Sequence, residues 1–167
     1  LAQRERPEGR LIEHVFDVPK ALDETADALN KGHDVLFEPA FEFNNVVIRA
    51  DIWERMNNQI IVSEVKSTTC AKDHQIIDAA IQQWVISGAG FPANTINIRC
   101  IDTDFVYPGN LNYQGLLKNI DITQEVHVLQ PQVYGWVDMC MQTLSGNEPD
   151  IEPGDQCSTP YNCPFYN

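Results

Sequence analysis

The amino-acid sequence predicts a mixed α/β domain, in which a three-stranded antiparallel meander and at least one further strand are flanked by helices. Segments with helical periodicity alternate with short segments rich in β-branched and aromatic residues. Asparagine, glycine and proline residues separate these segments, as is typical of turns. The 167 residues, 43% of them hydrophobic, suffice for one core. We therefore expect a single domain over residues 1–167.

The first helix is predicted over residues 18–31. Pro19 stands near its start, where proline is tolerated, and Gly32 follows its end, where glycine is common. Apolar residues recur at helical spacing and form one stripe: Ala21, Leu22, Ala26 and Leu29.

Two Asn-Asn pairs predict the turns of the meander. Strands are expected over residues 34–43, 46–54 and 59–66, with Asn44-Asn45 and Asn57-Asn58 as two-residue turns. Asparagine tolerates the positive φ angle that a type I′ hairpin turn requires.

A second helix is predicted over residues 72–87, ended by Gly88, and a further strand over residues 95–101. Residues 103–107 are expected to extend that strand or to pair with it.

The C-terminal part is predicted to contain one more helix, over residues 125–144, with residues 121–123 leading into it. Pro131 lies inside this range, so the helix either starts there or kinks there. Residues 145–167, rich in Pro, Gly and Asp, are expected to form an irregular tail that contains cysteines.

Counting residues back from the second turn brings two carboxylates together. If Met56 faces Gln59, then Asp51 lies directly opposite Glu64. Their Cβ atoms would be roughly 5 Å apart, where like charges destabilise a strand pair. A divalent cation removes this penalty, because Mg²⁺ binds one or two carboxylates together with phosphate oxygens. The spacing therefore predicts a metal site at Asp51 and Glu64.

The first turn, counted in the same way, places Glu38 opposite Asp51. Glu38, Asp51 and Glu64 would then form one row across three strands, and we expect Glu38 to be an auxiliary metal ligand or to support the ligands. The alternative is a surface acid on an edge strand. Lys66 lies on the same strand face as Glu64. Two metal-holding acids beside a lysine are typical of a site that cleaves phosphodiesters.

The charge of the chain argues in the opposite direction. The formal net charge is −13, whereas proteins that bind nucleic acid usually carry a basic surface. The acids are concentrated in residues 17–27 and 148–155, away from the candidate site.

Other properties indicate the setting of the protein. No apolar run approaches the ~20 residues of a membrane span, so we expect no membrane partner and a cytoplasmic location. Five irregularly spaced cysteines argue against a disulfide framework. The sequence begins without Met and stops within a motif, so we expect it to be a fragment of a longer protein.

Ala50-Asp51 followed by Glu64-Val65-Lys66 resembles the signature of the PD-(D/E)XK nuclease superfamily. The wider sequence is similar to its RecB-like branch, which includes CRISPR-adaptation exonucleases, and in particular to a bacterial domain family within that branch. The matching stretches are residues 37–42, 49–52, 64–67, 78–82 and 157–166.

The resemblance implies a restriction-endonuclease-like core and a metal-dependent deoxyribonuclease that uses Mg²⁺ or Mn²⁺. Asp51 and Glu64 would hold the metal, and Lys66 would position or activate the attacking water. Gln82 matches a glutamine in a helix that lies over the site, where it contacts DNA or supports the metal-bound water. The implied partner is DNA, either single-stranded or at duplex ends.

Cys157 and Cys163 lie in a stretch that resembles the C-terminal cysteine motif of iron–sulfur nucleases in this branch. Four thiolates normally hold such a cluster. Because the tail supplies two, we expect a cluster only in the full-length protein.

Two other functions remain open at this point. One is a catalytically degenerate nuclease fold that binds nucleic acid or protein, with Lys66 in a plain salt bridge and Gln82 as a helix-surface residue. The other is a metal-binding domain that hydrolyses a different substrate.

Overall fold

The computed structural model describes residues 2–14, 16–159 and 161–165. Within these residues it has four α-helices: α1 (Ala2–Glu5), α2 (Val18–Asn30), α3 (Asp73–Gly88) and α4 (Thr123–Ser145). The strands are β1 (Arg10–Leu11), β2 (Val35–Phe37), β3 (Ala40–Phe43), β4 (Val46–Arg49), β5 (Ile52–Met56), β6 (Gln59–Val65), β7 (Thr95–Ile101) and β8 (Leu117–Asp121).

The described strands form one six-stranded sheet in the order β1-β2-β5-β6-β7-β8 and a separate pair, β3 with β4. Strands β2, β5 and β6 are antiparallel neighbours, which confirms the predicted meander. Strand β7 lies parallel to β6, and α3 makes the crossover between them, as a parallel pair requires. The predicted mixed α/β class is confirmed.

Both Asn-Asn turns form as predicted. Asn44 and Asn45 have φ angles of 48° and 61°, and Asn57 and Asn58 have φ angles of 51° and 63°. All four therefore adopt the left-handed conformation that type I′ turns need. The flanking pairs are the expected ones: Phe43 opposite Val46 and Met56 opposite Gln59.

The first hairpin differs from the prediction, because neither of its strands is continuous. The strand pairing is interrupted at Glu38-Pro39 on one side of the hairpin and at Ala50-Asp51 on the other. The hairpin stays joined across the break: Glu38 N donates to Asp51 O at 3.1 Å, and Ala50 N donates to Pro39 O at 3.1 Å. Glu38 has a φ of 57°, and proline after it cannot donate to a ladder. The tip of the hairpin, β3 and β4, therefore leaves the main sheet.

Two groups of apolar side chains form the core on the helical side of the sheet. In the first, α2 and α3 cover the central strands through Ala21, Ala28, Leu36, Trp53, Val62, Val85 and Ile86. In the second, α3 and α4 cover β7 through Ala79, Ala80, Ile96, Ile98, Cys100, Val126 and Val133. Helix α3 belongs to both groups, so it is held firmly over the middle of the sheet.

The C-terminal part contains two corrections. Residues 103–107 form no strand; the partner of β7 is β8, whose sequence LKNID lacks a clear apolar alternation. Helix α4 starts at Thr123, two residues before the predicted start, and continues through Pro131. Asp121 Oδ1 accepts from Thr123 N at 2.9 Å and so satisfies a free N–H of the first turn. The tail from residue 146 is irregular, as expected, apart from one 3₁₀ turn at Asp155–Cys157.

None of the helices described here combines the length and the apolar character that crossing a membrane would need.

Candidate functional site

The predicted catalytic residues come together where β5 begins and β6 ends. Ile52 pairs with Ser63, so Asp51 and Glu64 are the next residues along the same register. Asp51 itself lies in the bend before β5, and its Oδ2 atom accepts a hydrogen bond of 2.6 Å from Val65 N. The bend thus places the Asp51 carboxylate over the end of β6, close to Glu64.

Glu64 is buried, with 8% of its surface exposed, and both of its carboxylate oxygens have partners. Oε1 accepts a hydrogen bond of 2.6 Å from the Lys66 ammonium group, and Oε2 accepts one of 3.1 Å from Gln82 Nε2. These two hydrogen bonds, one from an ammonium group and one from a buried amide, hold the carboxylate in one orientation.

Gln82 reaches the site from α3, where it is also buried. The structure therefore places it over Glu64, on a helix that lies across the sheet. Gln83, the next residue, points elsewhere and exchanges two 3.3 Å hydrogen bonds with the backbone of Ala93.

Lys66 follows β6 directly, and its backbone N donates to Arg99 O at 2.9 Å. Besides Glu64, its ammonium group lies 3.7 Å from Asp78 Oδ2. Burial lowers the pKa of Lys66, but the hydrogen bond to Glu64 and the charges of Glu64, Asp78 and Asp51 outweigh it, so that the pKa rises above its usual range. Lys66 is therefore a fixed positive charge at neutral pH.

The pKa of Asp51 is also raised, which for an acid favours the neutral form. Burial, and then the negative charge of Glu64, raise the pKa of Asp51 to about 6; the hydrogen bond from Val65 opposes this rise. The charge of Glu38 adds to the rise and that of Lys66 subtracts from it. Asp51 and Glu64 therefore repel each other when both are ionised, and a bound cation would stabilise the ionised pair.

Glu38 does not complete a three-carboxylate group with Asp51 and Glu64. Its side chain is 43% exposed and lies 3.7 Å from Arg49 Nε. Among the residues that the structure describes, no three His, Cys, Asp or Glu side chains are grouped to hold a metal ion. The donor set that faces the site is thus the pair Asp51 and Glu64, which fits Mg²⁺ or Mn²⁺, since these ions need only one or two carboxylates when waters and phosphate oxygens complete the shell.

Two cavities open onto these residues. One, of about 490 Å³, is lined by Glu38, Asp51 and Lys66 together with apolar side chains. The other, of about 440 Å³, is lined by Lys66, Asp78 and residues of the helix start and the tail. Lys66 lies between them, so a ligand in either cavity would meet its charge.

The structure adds three residues to the predicted set: Asp78, His74 and Tyr161. Asp78 precedes Gln82 by one helical turn, so the spacing alone places them on one face of α3. Tyr161 Oη lies 3.2 Å from His74 Nε2, which docks the tail against the start of α3. No local pattern in the sequence indicates this contact, because it joins residues far apart in the chain.

The two tail cysteines are close in the backbone. Cys163 N donates to Cys157 O at 2.7 Å, and both residues are partly buried with free thiols. The irregular tail is thus folded back on itself at this point.

No protein-family model matches the chain. No curated protein matches it either. Among solved structures it is similar to the crystal structure of SSO0001, with a TM-score of 0.32 and 14% identity, over 84% of this chain and 86% of that one.

Proposed function

We propose that this domain is a metal-dependent nuclease that hydrolyses DNA phosphodiester bonds. The observation that supports this most is the group formed by Asp51, Glu64 and Lys66, in which two carboxylates and one ammonium group lie together and Asp51 and Lys66 line a cavity. A site for phosphodiester hydrolysis needs these same charges, since it must neutralise a phosphate and orient a water molecule.

Asp51 and Glu64 would hold Mg²⁺ or Mn²⁺, which supplies Lewis-acid stabilisation of the phosphate charge when bound. The raised pKa of Lys66 makes it a poor proton acceptor, so its role is to stabilise negative charge and to position the water rather than to act as a base. Gln82, through its bond to Glu64, keeps that carboxylate oriented.

An iron–sulfur cluster would form only in the full-length protein. The described tail supplies two thiols, Cys157 and Cys163, and a cluster needs four ligands. We place the reaction in the cytoplasm, where five free cysteines are expected to stay reduced.

A second candidate is a binding module with an inactive site. Two observations favour it: the net charge of −13, which opposes DNA binding, and the contact between Lys66 and Glu64, which occupies one carboxylate oxygen. Under this alternative, Asp51 and Glu64 have no metal to bind.

Thermal unfolding and cleavage distinguish the two candidates. The melting temperature of wild type and of Asp51→Asn is measured with and without Mn²⁺, and labelled single-stranded DNA is then incubated with each protein. Glu42→Gln is the matched control, because Glu42 is an exposed acid of the same hairpin. A nuclease is stabilised by Mn²⁺ and cleaves DNA as wild type and as Glu42→Gln, but not as Asp51→Asn. If Mn²⁺ shifts none of the three and DNA stays intact, the binding module is the better description.

A further inference from the structure

A third cavity, of about 680 Å³, lies next to the cavity of about 490 Å³ that Asp51 and Lys66 line, hereafter the catalytic cavity. The two share Leu117 in their walls, and both are bordered by residues of α1 and of the loop before β8. Arg99 and Ile101 lie on one face of β7; Ile101 lines the catalytic cavity and Arg99 lines the third one. The two cavities therefore lie side by side on one face of the sheet.

The charged residues that line this third cavity are mostly basic, whereas the protein as a whole is acidic. The cavity is lined by three arginines, Arg4, Arg6 and Arg99, and by a single acid, Glu5. The whole chain has only 11 basic residues against 24 acidic ones. Three guanidinium groups thus border one space in a strongly acidic protein, and arginine matches phosphate geometry well.

Arg99 is held there at some cost to stability. Its side chain is 15% exposed and pairs with Glu5, while its Nε atom is buried without a hydrogen-bond partner among the described residues. Arg6 pairs with the buried acid Glu54 and with the exposed acid Glu8. A buried guanidinium with an unsatisfied N–H is destabilising, so its presence beside a cavity is best explained by a role of the charge.

The loop on the other side of the cavity carries a stacked pair of aromatic rings. The centroids of Tyr107 and Tyr113 are 5.1 Å apart with an interplanar angle of 21°. Tyr107 Oη accepts from Leu111 N at 2.8 Å, which fixes the loop, and Tyr113 lines the cavity. An aromatic surface next to a positive groove is the combination that binds single-stranded nucleic acid, because bases stack while phosphates pair with cations.

We propose that this cavity binds the single-stranded part of the nucleic acid beside the catalytic centre. A phosphate pairs with Arg4, further phosphates lie near the ion-paired Arg6 and Arg99, and a base stacks on Tyr113. The inference rests on the proposed nuclease function for its substrate class, but the binding itself needs neither metal nor cleavage. Such a site also explains how a chain of net charge −13 binds a polyanion: the acidic surface repels nucleic acid elsewhere, and the arginines attract it here.

The test is binding of a fluorescein-labelled oligothymidine to the whole protein in EDTA, followed by fluorescence anisotropy over a range of salt concentrations. Arg4→Ala is the first variant, since Arg4 is exposed and has no ion pair among the described residues, unlike Arg6 and Arg99. Tyr113→Ala and Tyr113→Phe are the second and third. Arg55→Ala is the control, because Arg55 pairs with Asp34 and lines none of these cavities.

Arg4→Ala is expected to weaken binding several-fold and to reduce the slope of log affinity against log salt by about 0.7, the value for one phosphate contact with a single strand. Tyr113→Ala is expected to weaken binding by roughly 5- to 150-fold, with recovery in Tyr113→Phe. Arg55→Ala binds as wild type does.

The inference is overturned if wild type does not bind the oligonucleotide, or if Arg4→Ala and Tyr113→Ala bind it as tightly as wild type. It is also overturned if inorganic phosphate at the same phosphate concentration competes equally well, since the cavity would then bind an isolated anion only. If wild type does not cleave DNA but the expected binding differences between wild type and the variants are observed, the nuclease proposal is contradicted and the binding site is still supported.

Discussion

Gln82 donates a hydrogen bond of 3.1 Å from its amide nitrogen to Glu64 Oε2, and both side chains are buried. This bond joins α3 to the end of β6, and it helps to hold the Glu64 carboxylate in one orientation. Lys66 binds the other oxygen of the same carboxylate. Glu64 is therefore the residue through which the helix, the strand and the lysine are connected.

Replacement of Gln82 by alanine should remove this connection. The variant is expected to lose about 2 kcal/mol of unfolding free energy, because a buried charged acceptor loses a partner. It should also lose roughly 10- to 100-fold in cleavage or Mn²⁺ affinity, since Glu64 is no longer oriented. Urea unfolding and cleavage rates measure the two effects.

Gln83→Ala is the matched control for Gln82→Ala, because the side-chain hydrogen bonds of Gln83 within the described part of the chain go to the Ala93 backbone. It should lose some stability and keep its activity. Equal loss of activity in both variants would mean that α3 acts through overall stability and not through Glu64.

The raised pKa of Asp51 makes the metal-free protein depend on pH. The native state binds the proton of Asp51 more tightly than the unfolded state does, so the contribution of Asp51 to stability falls as the pH rises from about 4 through about 6 and is constant above that. Asp51→Asn removes this effect while its side-chain oxygen still accepts from Val65 N. At pH 7.5 in EDTA the variant should be more stable than wild type by about 1–2 kcal/mol, a figure reduced for solvent screening.

Thermal unfolding at pH 4 and pH 7.5 measures this difference, which should vanish at the lower pH. Mn²⁺ affinity should weaken as the pH falls below about 6, because the proton and the metal compete for the same carboxylate. An Asp51→Asn variant that is less stable than wild type at pH 7.5 would show that the two acids do not repel each other.

Lys66→Ala should reduce the cleavage rate by about 10²- to 10³-fold, because one fixed positive charge at the phosphate is lost. Since the pKa of Lys66 is raised, the rate of the wild-type protein should not change between pH 7 and 9 through titration of this lysine. The measurement is a single-turnover cleavage rate across this pH range. Lys72→Ala, at an exposed lysine just before α3, should behave as wild type.

Gly88→Ala tests how the hairpin tip packs on α3. A Cβ atom at this position would lie 2.2 Å from the ring of Phe43, so the two elements must move apart. The expected loss of stability is about 1–3 kcal/mol, as for other overpacked sites. Gly135→Ala is the control: no atom lies within 4 Å of the added Cβ in α4, and the change should stabilise by about 0.5–1 kcal/mol. Thermal or urea unfolding of both variants provides the comparison.

The sequence predicted the meander and the facing of Asp51 and Glu64, because the two Asn-Asn turns set the register with little ambiguity. Gln82 followed from the family resemblance, and the structure places it against Glu64. These features depend on local turn chemistry and on short spacings, which are readable from sequence.

Other features depend on contacts between distant residues and were not readable. The interruption of the strand at Glu38 and Pro39 was not predicted, because a left-handed non-glycine residue gives no clear signal in the sequence. Strand β8 has little apolar alternation, and its pairing with β7 gives it its structure. The docking of Tyr161 on His74 likewise depends on how the tail folds back.

The bend of the first hairpin has a consequence for local unfolding. Glu38 and Asp51 are joined by a backbone hydrogen bond at the point where β3 and β4 leave the sheet. Beyond that point, Phe43 packs edge-on against Trp84 of α3, with ring centroids 4.8 Å apart. A ligand that immobilises Asp51 therefore also immobilises the hairpin tip and the helix under it. Backbone amides of α3, far from any ligand atom, should then exchange with solvent deuterium more slowly when the carboxylates are occupied.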